Sequence, residues 1–491
     1  MLPWKTIIKL QRAQGRPVFL QLADAIIREI KSGLIKPGTK MPGTRVMAGL
    51  LKLNRQTVVK SFDELYSQGW LVSSKSKGTF VSEELPEIHP AKISTEDNRL
   101  QLVSKAGFEF ERNEFIHDFA KPEREIQGFH DGPDVRLIPT EIMGRNYKSI
   151  LQRKRGLLLL SYIDVIGTEQ VRQSVSGYLN ESRGLRTEAD NILMTRGTQM
   201  AMYLLAQVLL KKGDRIITTS ISFRYADLTF MQAGAELLRV PVDDEGMDVD
   251  EIAKICSRKK IRAVYVNSHH HYPTTVTLSA GRRMKLLQLA EKYNFVVIED
   301  DYDYEFHYDS SPILPLASAD RTGMVIYIGS FSKTLAPGIR IGYVAAPPDL
   351  VNELGKLRQI IDAQGDAVME QVVANMINDG EIRRHMKKGL KIYKERRDFM
   401  VSTLRAELSD VIQFHTPEGG LAIWAKFDKR IPVPELSIQL RKKELILSKG
   451  LLHDLTAGKK LNSTRIGFGW MNIQEAGKAI GILKSTIRKM E

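Results

Sequence analysis

Between residues 191 and 328, five short apolar runs alternate with helix-length segments, and this alternation constrains the chain more than any other feature. The runs are Asn191-Ile192-Leu193-Met194, Arg215-Ile216-Ile217-Thr218, Arg262-Ala263-Val264-Tyr265-Val266, Phe295-Val296-Val297-Ile298 and Val325-Ile326-Tyr327-Ile328. Unbroken apolar runs of this length read as strands buried on both faces. The intervals leave room for crossover helices, for example Met200 to Leu210 and Ala280 to Tyr293. The pattern predicts an α/β fold, a large and mostly parallel sheet covered by helices on both faces. In such a sheet, ligands are expected at the carboxyl ends of the strands.

Residues able to do chemistry follow three of these runs. After Val325 to Ile328 come Ser330, Ser332, Lys333, a Pro337-Gly338 turn and Arg340. After Phe295 to Ile298 comes Glu299-Asp300-Asp301-Tyr302-Asp303-Tyr304-Glu305-Phe306. After Asn191 to Met194 comes Thr195-Arg196-Gly197-Thr198-Gln199, a turn into a helix whose backbone N–H groups suit a phosphate. Each stretch alone has a plain reading: a surface Ser-Lys loop, a solvated or cation-binding acidic loop, an ordinary strand-to-helix turn. At the ends of strands of one sheet they make the set that pyridoxal phosphate (PLP) requires. A lysine can form a Schiff base, a carboxylate can keep a pyridinium nitrogen protonated, and a phenol can meet the ring oxygen. Hydroxyls, amides and a guanidinium remain for the phosphate. A metal site at His269-His270-His271 is not expected, because neighbouring side chains of extended chain point to opposite faces.

The charge is unevenly spread. Residues 1–82 hold fourteen Lys/Arg against four Asp/Glu, so net +10 of the chain's +14 sits there and the other 409 residues carry only +4. A basic head on a nearly balanced body suggests a polyanion-binding unit joined to a different machine. Within the head, Val18 to Ile30 has helical apolar spacing, Thr44 to Leu51 reads as a short helix, and Asn54 stands as N-cap of a helix from Arg55 to Gln68. The second short helix buries Val58, Val59, Phe62 and Leu65 and presents Arg55, Gln56, Thr57 and Lys60 near its start, which is the helix-turn-helix pattern. Trp70-Leu71-Val72 and Thr79-Phe80-Val81 flank a basic tip holding Lys75, Lys77 and Gly78, a hairpin wing able to reach backbone phosphates or a minor groove. Double-stranded DNA is therefore the expected partner of the head.

Residues 83–113 lose periodicity and are acidic and proline-punctuated, as in a linker, which leaves 114–491 as the body. The single Cys256 rules out an intrachain disulfide framework and fits a reducing compartment. Lys5, Lys9 and Arg12 without a long apolar core do not make a secretory signal, and Leu157 to Leu160 is far too short to span a membrane. A cytoplasmic location is expected.

Two resemblances sharpen these expectations. The head resembles the GntR family of winged helix-turn-helix regulators, through Pro42-Gly43-Thr44-Arg45, Asn54-Arg55-Gln56-Thr57-Val58 and Gly78-Thr79-Phe80-Val81. That resemblance implies DNA contacts from Arg45, Arg55, Thr57 and Gly78, and Asn54, Gln56, Lys60 and Lys77 are further candidate DNA-binding residues. Gly43 and Asn54 replace serines of the family pattern, which predicts an altered base preference. The body resembles the fold-type I PLP-dependent aminotransferases, with a smaller C-terminal domain, through Val240-Pro241-Val242-Asp243-Asp244-Glu245-Gly246, Ile298 to Phe306 and Gly329 to Pro337. The combination resembles the MocR/GabR-type bacterial regulators. It implies Lys333 as the Schiff-base lysine, Asp300 at the pyridine nitrogen and Tyr302 at the phenolic oxygen. Thr198, Gln199, Ser330, Ser332 and Arg340 are implied at the phosphate, and Tyr162 at the phosphate of a neighbouring subunit in a homodimer. Arg465 matches the arginine that clamps an effector carboxylate.

Three residues depart from the family. Phe223 stands where a ring-stacking tyrosine is usual, so stacking survives without the hydroxyl. Thr275 replaces a glycine in His270-His271-Tyr272-Pro273-Thr274-Thr275, which puts in question the local backbone path and any cofactor contact from His270 or Tyr272. Arg196 precedes Gly197 where a small or polar residue is common; it either adds charge at the phosphate or faces solvent. The leading expectation is a PLP-dependent transcriptional regulator that senses PLP or an amino compound by exchanging an internal for an external aldimine. The alternative is an active aminotransferase with a DNA-binding tether. Phe223 and Thr275 favour sensing over turnover.

Overall fold

The computed structural model describes residues 3–8, 10, 17–74, 77–86, 106–112, 127–309, 313–450 and 461–490. The chain divides into two units, Met1–Arg112 and Asn113–Glu491. Most of the expected linker, residues 87–105 and 113, lies outside the described residues.

In the first unit, the helix Val18–Lys31 buries Leu22, Ile26 and Ile30, four residues apart, on one stripe. Thr44–Leu51 contributes Met47, and Arg55–Ser67 contributes Val58, Phe62 and Leu65. The Asn54 side chain accepts a hydrogen bond from the Gln56 N–H at 2.8 Å and so satisfies one of the orphan donors at the helix start. Leu71–Ser74 and Gly78–Val81 form an antiparallel hairpin, with Leu71 opposite Val81. Trp70, Leu71 and Val81 close the core over the three helices.

The second unit is built on a seven-stranded sheet. Its spatial order is Ile192–Thr195, Gly342–Ala345, Val325–Ser330, Val296–Asp301, Ala263–Val266, Arg215–Thr219 and Glu236–Val240. Gly342–Ala345 runs antiparallel to both its neighbours, and the remaining pairings are parallel. Two of these strands carry no continuous apolar signal. Glu236–Val240 is a partly exposed edge with two charged residues, and Gly342–Ala345 opens on a glycine. Alternation across the sheet sends Ile298, Ile328 and Val344 into one core with Leu204 and Leu205. Tyr327 and Tyr343 join the opposite core with Met400, Leu404 and Ile423.

The predicted strands continue into polar residues. Val296–Asp301 is a strand to its end, and Glu299, Asp300 and Asp301 are all buried. Buried carboxylates need partners. Glu299 accepts from the N–H groups of Leu316 at 2.8 Å and Ala317 at 2.9 Å. Asp301 accepts from the Tyr327 hydroxyl at 2.7 Å and pairs with His269 at 3.2 Å.

Beyond the sheet, the 28-residue helix Glu381–Leu408 and the helix Ile473–Ile487 pack with a three-stranded antiparallel sheet, Ile412–Gln413, Ala422–Phe427 and Ser463–Gly467. Gln127–Gly128 pairs in parallel with Leu445–Ile446. The Phe129 N–H then donates to the Ile446 carbonyl at 3.0 Å, and the Gly467 N–H to the Phe129 carbonyl at 3.2 Å. This stitching lays residues 129–131 beside the strand that carries Arg465.

Candidate functional site

At the carboxyl ends of the parallel strands lies a cavity of 280 Å³ lined by Asp131, Thr198, Gln199, Phe223, Asn267, Tyr272, Asp300, Tyr302, Ser330, Ser332, Lys333 and Arg340. The sequence points to nine of these twelve as candidates and to Tyr272 as a contact in question; the two it misses are Asp131 and Asn267.

One end of the cavity gathers hydrogen-bond donors and a guanidinium. The helix Thr198–Leu209 begins there on Gly197, which has no side chain to cap its first turn. The N–H groups of Thr198 and Gln199 and the helix dipole suit an anion at that end. Gly197 makes the turn with φ +82, and a Cβ placed there would lie 2.7 Å from Arg340 Nη2. Glycine is thus required both by the backbone and by the approach of the guanidinium. Arg340 donates to the Arg196 carbonyl at 2.7 Å, which fixes it beside the helix start. The Ser330 and Ser332 hydroxyls lie 2.9 Å apart, and the Ser332 N–H donates to Ser330 Oγ at 3.1 Å. Arg196 does not line the cavity: its Nε donates to Asp362 at 2.8 Å.

At the floor sits Asp300. The Tyr265 hydroxyl donates to its Oδ2 at 2.7 Å, and the Asn267 amide donates to its backbone carbonyl at 2.8 Å. Oδ1 is buried without a hydrogen-bond partner among the described residues. Burial pushes this carboxyl up to about 7; the Tyr265 bond lowers it, while Asp301 and Asp303 nearby raise it further. Tyr302 donates its hydroxyl to the His270 carbonyl at 3.0 Å. Phe223 meets Tyr272 edge to face, with ring centroids 5.2 Å apart.

Lys333 lines the same cavity as Asp300. Its Nζ donates to the Asp131 backbone carbonyl at 2.7 Å and lies 3.6 Å from Asp131 Oδ1. Arg465 is buried just behind. Its Nε donates to Asp131 Oδ2 at 3.1 Å, its Nη1 donates to the Pro273 carbonyl at 2.9 Å, and the guanidinium stacks 4.5 Å from the Tyr272 ring centre. Burial opposes ionisation of Asp131, but the charges of Lys333 and Arg465 outweigh it and hold the carboxyl well below its usual range.

Two further residues bear on the expected cofactor contacts: His270, whose contact the sequence left in question, and Tyr162, expected at a neighbouring subunit's phosphate. The His270 ring is buried against Asp303, with Nδ1 2.8 Å from Oδ1, and does not line the cavity. Tyr162 stands on the surface, 90% exposed. The other two histidines have their own neighbours, His269 with Asp301 and His271 with Thr219 and Thr274. Among the described residues, no three His, Cys, Asp or Glu side chains are grouped to hold a metal ion. The Thr275 departure leaves the turn intact, because Thr275 itself adopts φ +64.

In the head, Arg45, Arg55, Gln56 and Lys60 are exposed, and Thr57 is half-buried beside them. Lys77 and Gly78 are exposed at the wing, while Lys75 and Ser76 lie outside the described residues. Asn54 commits its side-chain oxygen to the helix cap. An exposed cation the sequence does not single out, Lys40, stands 5.9 Å from the Phe80 ring centre against the wing.

A winged helix-turn-helix head and an α/β body with a lysine-bearing cavity rich in hydrogen-bond donors define a two-part class of protein. Residues 140–472 match the family described as aminotransferase class I and II, and residues 19–81 match the bacterial regulatory proteins of the gntR family. The chain belongs to the class I and II aminotransferase family and carries a GntR-type head. The uncharacterized HTH-type transcriptional regulator YisV of Bacillus subtilis is 27% identical over 98% of both chains. The probable rhizopine catabolism regulatory protein MocR of Rhizobium meliloti is also 27% identical, over 87% of this chain and 85% of that protein. Kynurenine aminotransferase of Pyrococcus horikoshii, solved in complex with PMP, is 28% identical with a TM-score of 0.69, over 74% of this chain and 91% of that one. Both of these relatives, which span head and body together, are described as regulators.

Proposed function

We propose that the chain is a PLP-dependent transcriptional regulator whose head binds operator DNA and whose body senses an amino compound. The observation that carries the cofactor is Asp300 Oδ1, a buried carboxylate oxygen without a partner among the described residues, in a cavity that also holds Lys333. A pyridinium N–H is the donor that oxygen lacks, and pairing with it offsets the burial that holds the carboxyl near 7. Thr198 and Gln199 N–H groups, Ser330, Ser332 and Arg340 would hold the phosphate, Tyr302 the phenolic oxygen, and Phe223 the ring face. When bound, PLP supplies an aldehyde that captures amines and a ring that withdraws electrons. Lys333 would be the amine that holds it, and its free amine would be a base able to carry a proton.

The body is suited to a homodimer. Leu157, Leu158, Leu160, Tyr162 and Ile360 expose apolar surface between 52% and 90%. Gln364 ties the two stretches together, accepting from Ile163 N–H at 2.6 Å and donating to the Ser161 carbonyl at 3.1 Å. Exposed large apolar side chains gathered in this way suit an association surface, from which Tyr162 could reach a second copy's phosphate.

Effector binding alters DNA affinity only if the effector prefers one arrangement of heads over the other, typically by about 1–3 kcal/mol. The test is spectroscopic and electrophoretic. The PLP-treated full chain should absorb in the visible and retain its own upstream DNA, with retention changed by an amine that changes the spectrum. A colourless wild type would sink the cofactor assignment. Rapid multiple turnover with amino and keto acids would instead favour an aminotransferase.

A further inference from the structure

Arg465 already carries a carboxylate, and it belongs to the chain. The Asp131 side chain sits between the two cations of the cavity, 3.1 Å from Arg465 Nε and 3.6 Å from Lys333 Nζ. It is delivered there by the pairing of Gln127–Gly128 with Leu445–Ile446, and it forms part of the cavity wall. Arg465 is otherwise spent on the Pro273 carbonyl and the Tyr272 ring face.

We propose that Asp131 is a specificity-determining residue that fills the carboxylate side of Arg465, so that the cavity selects amines lacking an α-carboxylate and discriminates against α-amino acids. This deepens the assignment of the body as an amine sensor and rests on it for the identity of the reacting group. The physics is competition. An incoming α-carboxylate must displace a tethered one whose effective concentration is on the order of millimolar or higher. It must then sit near the displaced Asp131 charge, a like-charge contact that costs further. An amine without a carboxylate meets neither obstacle. Its ammonium is drawn to Asp131, whose side chain keeps 30% exposure towards the cavity.

Two arms test this separately from the cofactor assignment. In the first, the PLP-loaded full chain is titrated with matched pairs, phenylalanine and phenethylamine, leucine and isoamylamine, lysine and 1,5-diaminopentane, following the cofactor spectrum. Each amine should act at about tenfold lower concentration than its parent amino acid, as expected for a displaced intramolecular ion pair. Asp131→Asn should narrow or invert that order. Wild type that prefers the amino acids, or an order unchanged in the variant, would overturn the proposal. The second arm uses the chain without PLP and propionate as a probe of Arg465. Propionate should leave the melting temperature of wild type unchanged and raise that of Asp131→Asn, and Arg465→Met in the variant background should abolish the rise. Equal stabilisation of wild type and variant would refute occupancy of Arg465 by Asp131 even if the protein binds no PLP. The wild-type titrations decide the question should Asp131→Asn fail to fold.

Discussion

The Tyr265 hydroxyl donates to Asp300 Oδ2 at 2.7 Å, while the other oxygen of the same carboxylate is buried without a partner among the described residues. Half of the group is satisfied by the protein and half is left for a ligand. Burial pushes the carboxyl up to about 7, above its unfolded value near 4. Between those values the folded chain without cofactor holds a proton that the unfolded chain has lost, so stability falls as pH rises through that window. Asp300→Asn should remove this dependence in thermal melts. A ligand pyridinium needs the ionised form. Affinity for pyridoxine phosphate, which lacks the aldehyde and so bypasses Lys333, should fall by up to about tenfold per pH unit below 7. Asp300→Asn should show only the ligand's own titration. Tyr265→Phe removes a bond that lowers the Asp300 value and should move the profile to higher pH.

Gly197 and Arg340 make a second testable pair. A Cβ on Gly197 would lie 2.7 Å from Nη2 and 3.0 Å from Cζ of the arginine, at a φ that L side chains rarely adopt. Gly197→Ala should therefore displace the guanidinium and the first helical N–H groups together. Loss of a charge-assisted contact of about 1.5–3 kcal/mol corresponds to roughly a tenfold to hundredfold loss of affinity. Isothermal titration with pyridoxine phosphate measures it. Affinity for pyridoxine, which has no phosphate, should be unaffected.

Lys333→Ala separates attachment from recognition. The variant should lose the visible band on PLP addition and still bind pyridoxine phosphate as wild type does, because the phosphate end and Asp300 are untouched. Equal visible absorbance in the variant would reject Lys333 as the attachment point.

The parts of the site that lie in continuous stretches were legible in the sequence. Asp300 and Tyr302, Ser330 to Arg340, and Gly197 to Gln199 each follow an apolar strand directly, so the strand placed them. Asp131 had no such marker. It lies 202 positions from Lys333 and 334 from Arg465, and two-residue strands with no periodicity bring it there. Tyr265 and Asn267 were hidden for a different reason: a strand pattern reports burial and not the ligand-facing side of its last residues. His270, which the sequence left in question, faces Asp303 in the interior, because a polar residue in a family-like stretch need not point into the cavity. In the sheet, Glu236–Val240 and Gly342–Ala345 were silent because an edge strand and a strand opening on glycine need no apolar run.

Thr275 is a place where the chain tolerates strain. It holds φ +64, a region costly for a β-branched residue, where the related motif has glycine. Thr275→Gly should raise unfolding stability by about 1 kcal/mol, measured by denaturant titration, with pyridoxine phosphate affinity unchanged because Thr275 does not line the cavity. Unchanged or lower stability would mean that the threonine side chain compensates locally.

The head offers a separation between contact and scaffold. Arg55 is exposed at the first turn of the helix Arg55–Ser67, whereas the adjacent Asn54 accepts the Gln56 N–H and caps that helix. Arg55→Ala should weaken retention of operator DNA with no loss of thermal stability. If Arg55 meets a phosphate, the slope of log affinity against log salt should also drop by about one. If it meets a base edge, discrimination between sequences should relax while the slope holds. Asn54→Ala should behave in the opposite sense, lowering stability of the head by about 1 kcal/mol through loss of the cap. Its effect on DNA binding should be recovered by Asn54→Ser or Asn54→Asp, which restore the acceptor. Failure of both to restore binding would place the Asn54 amide itself at the DNA. In every one of these variants the cavity lies in the other unit, so the visible spectrum of the PLP-loaded chain serves as the internal control.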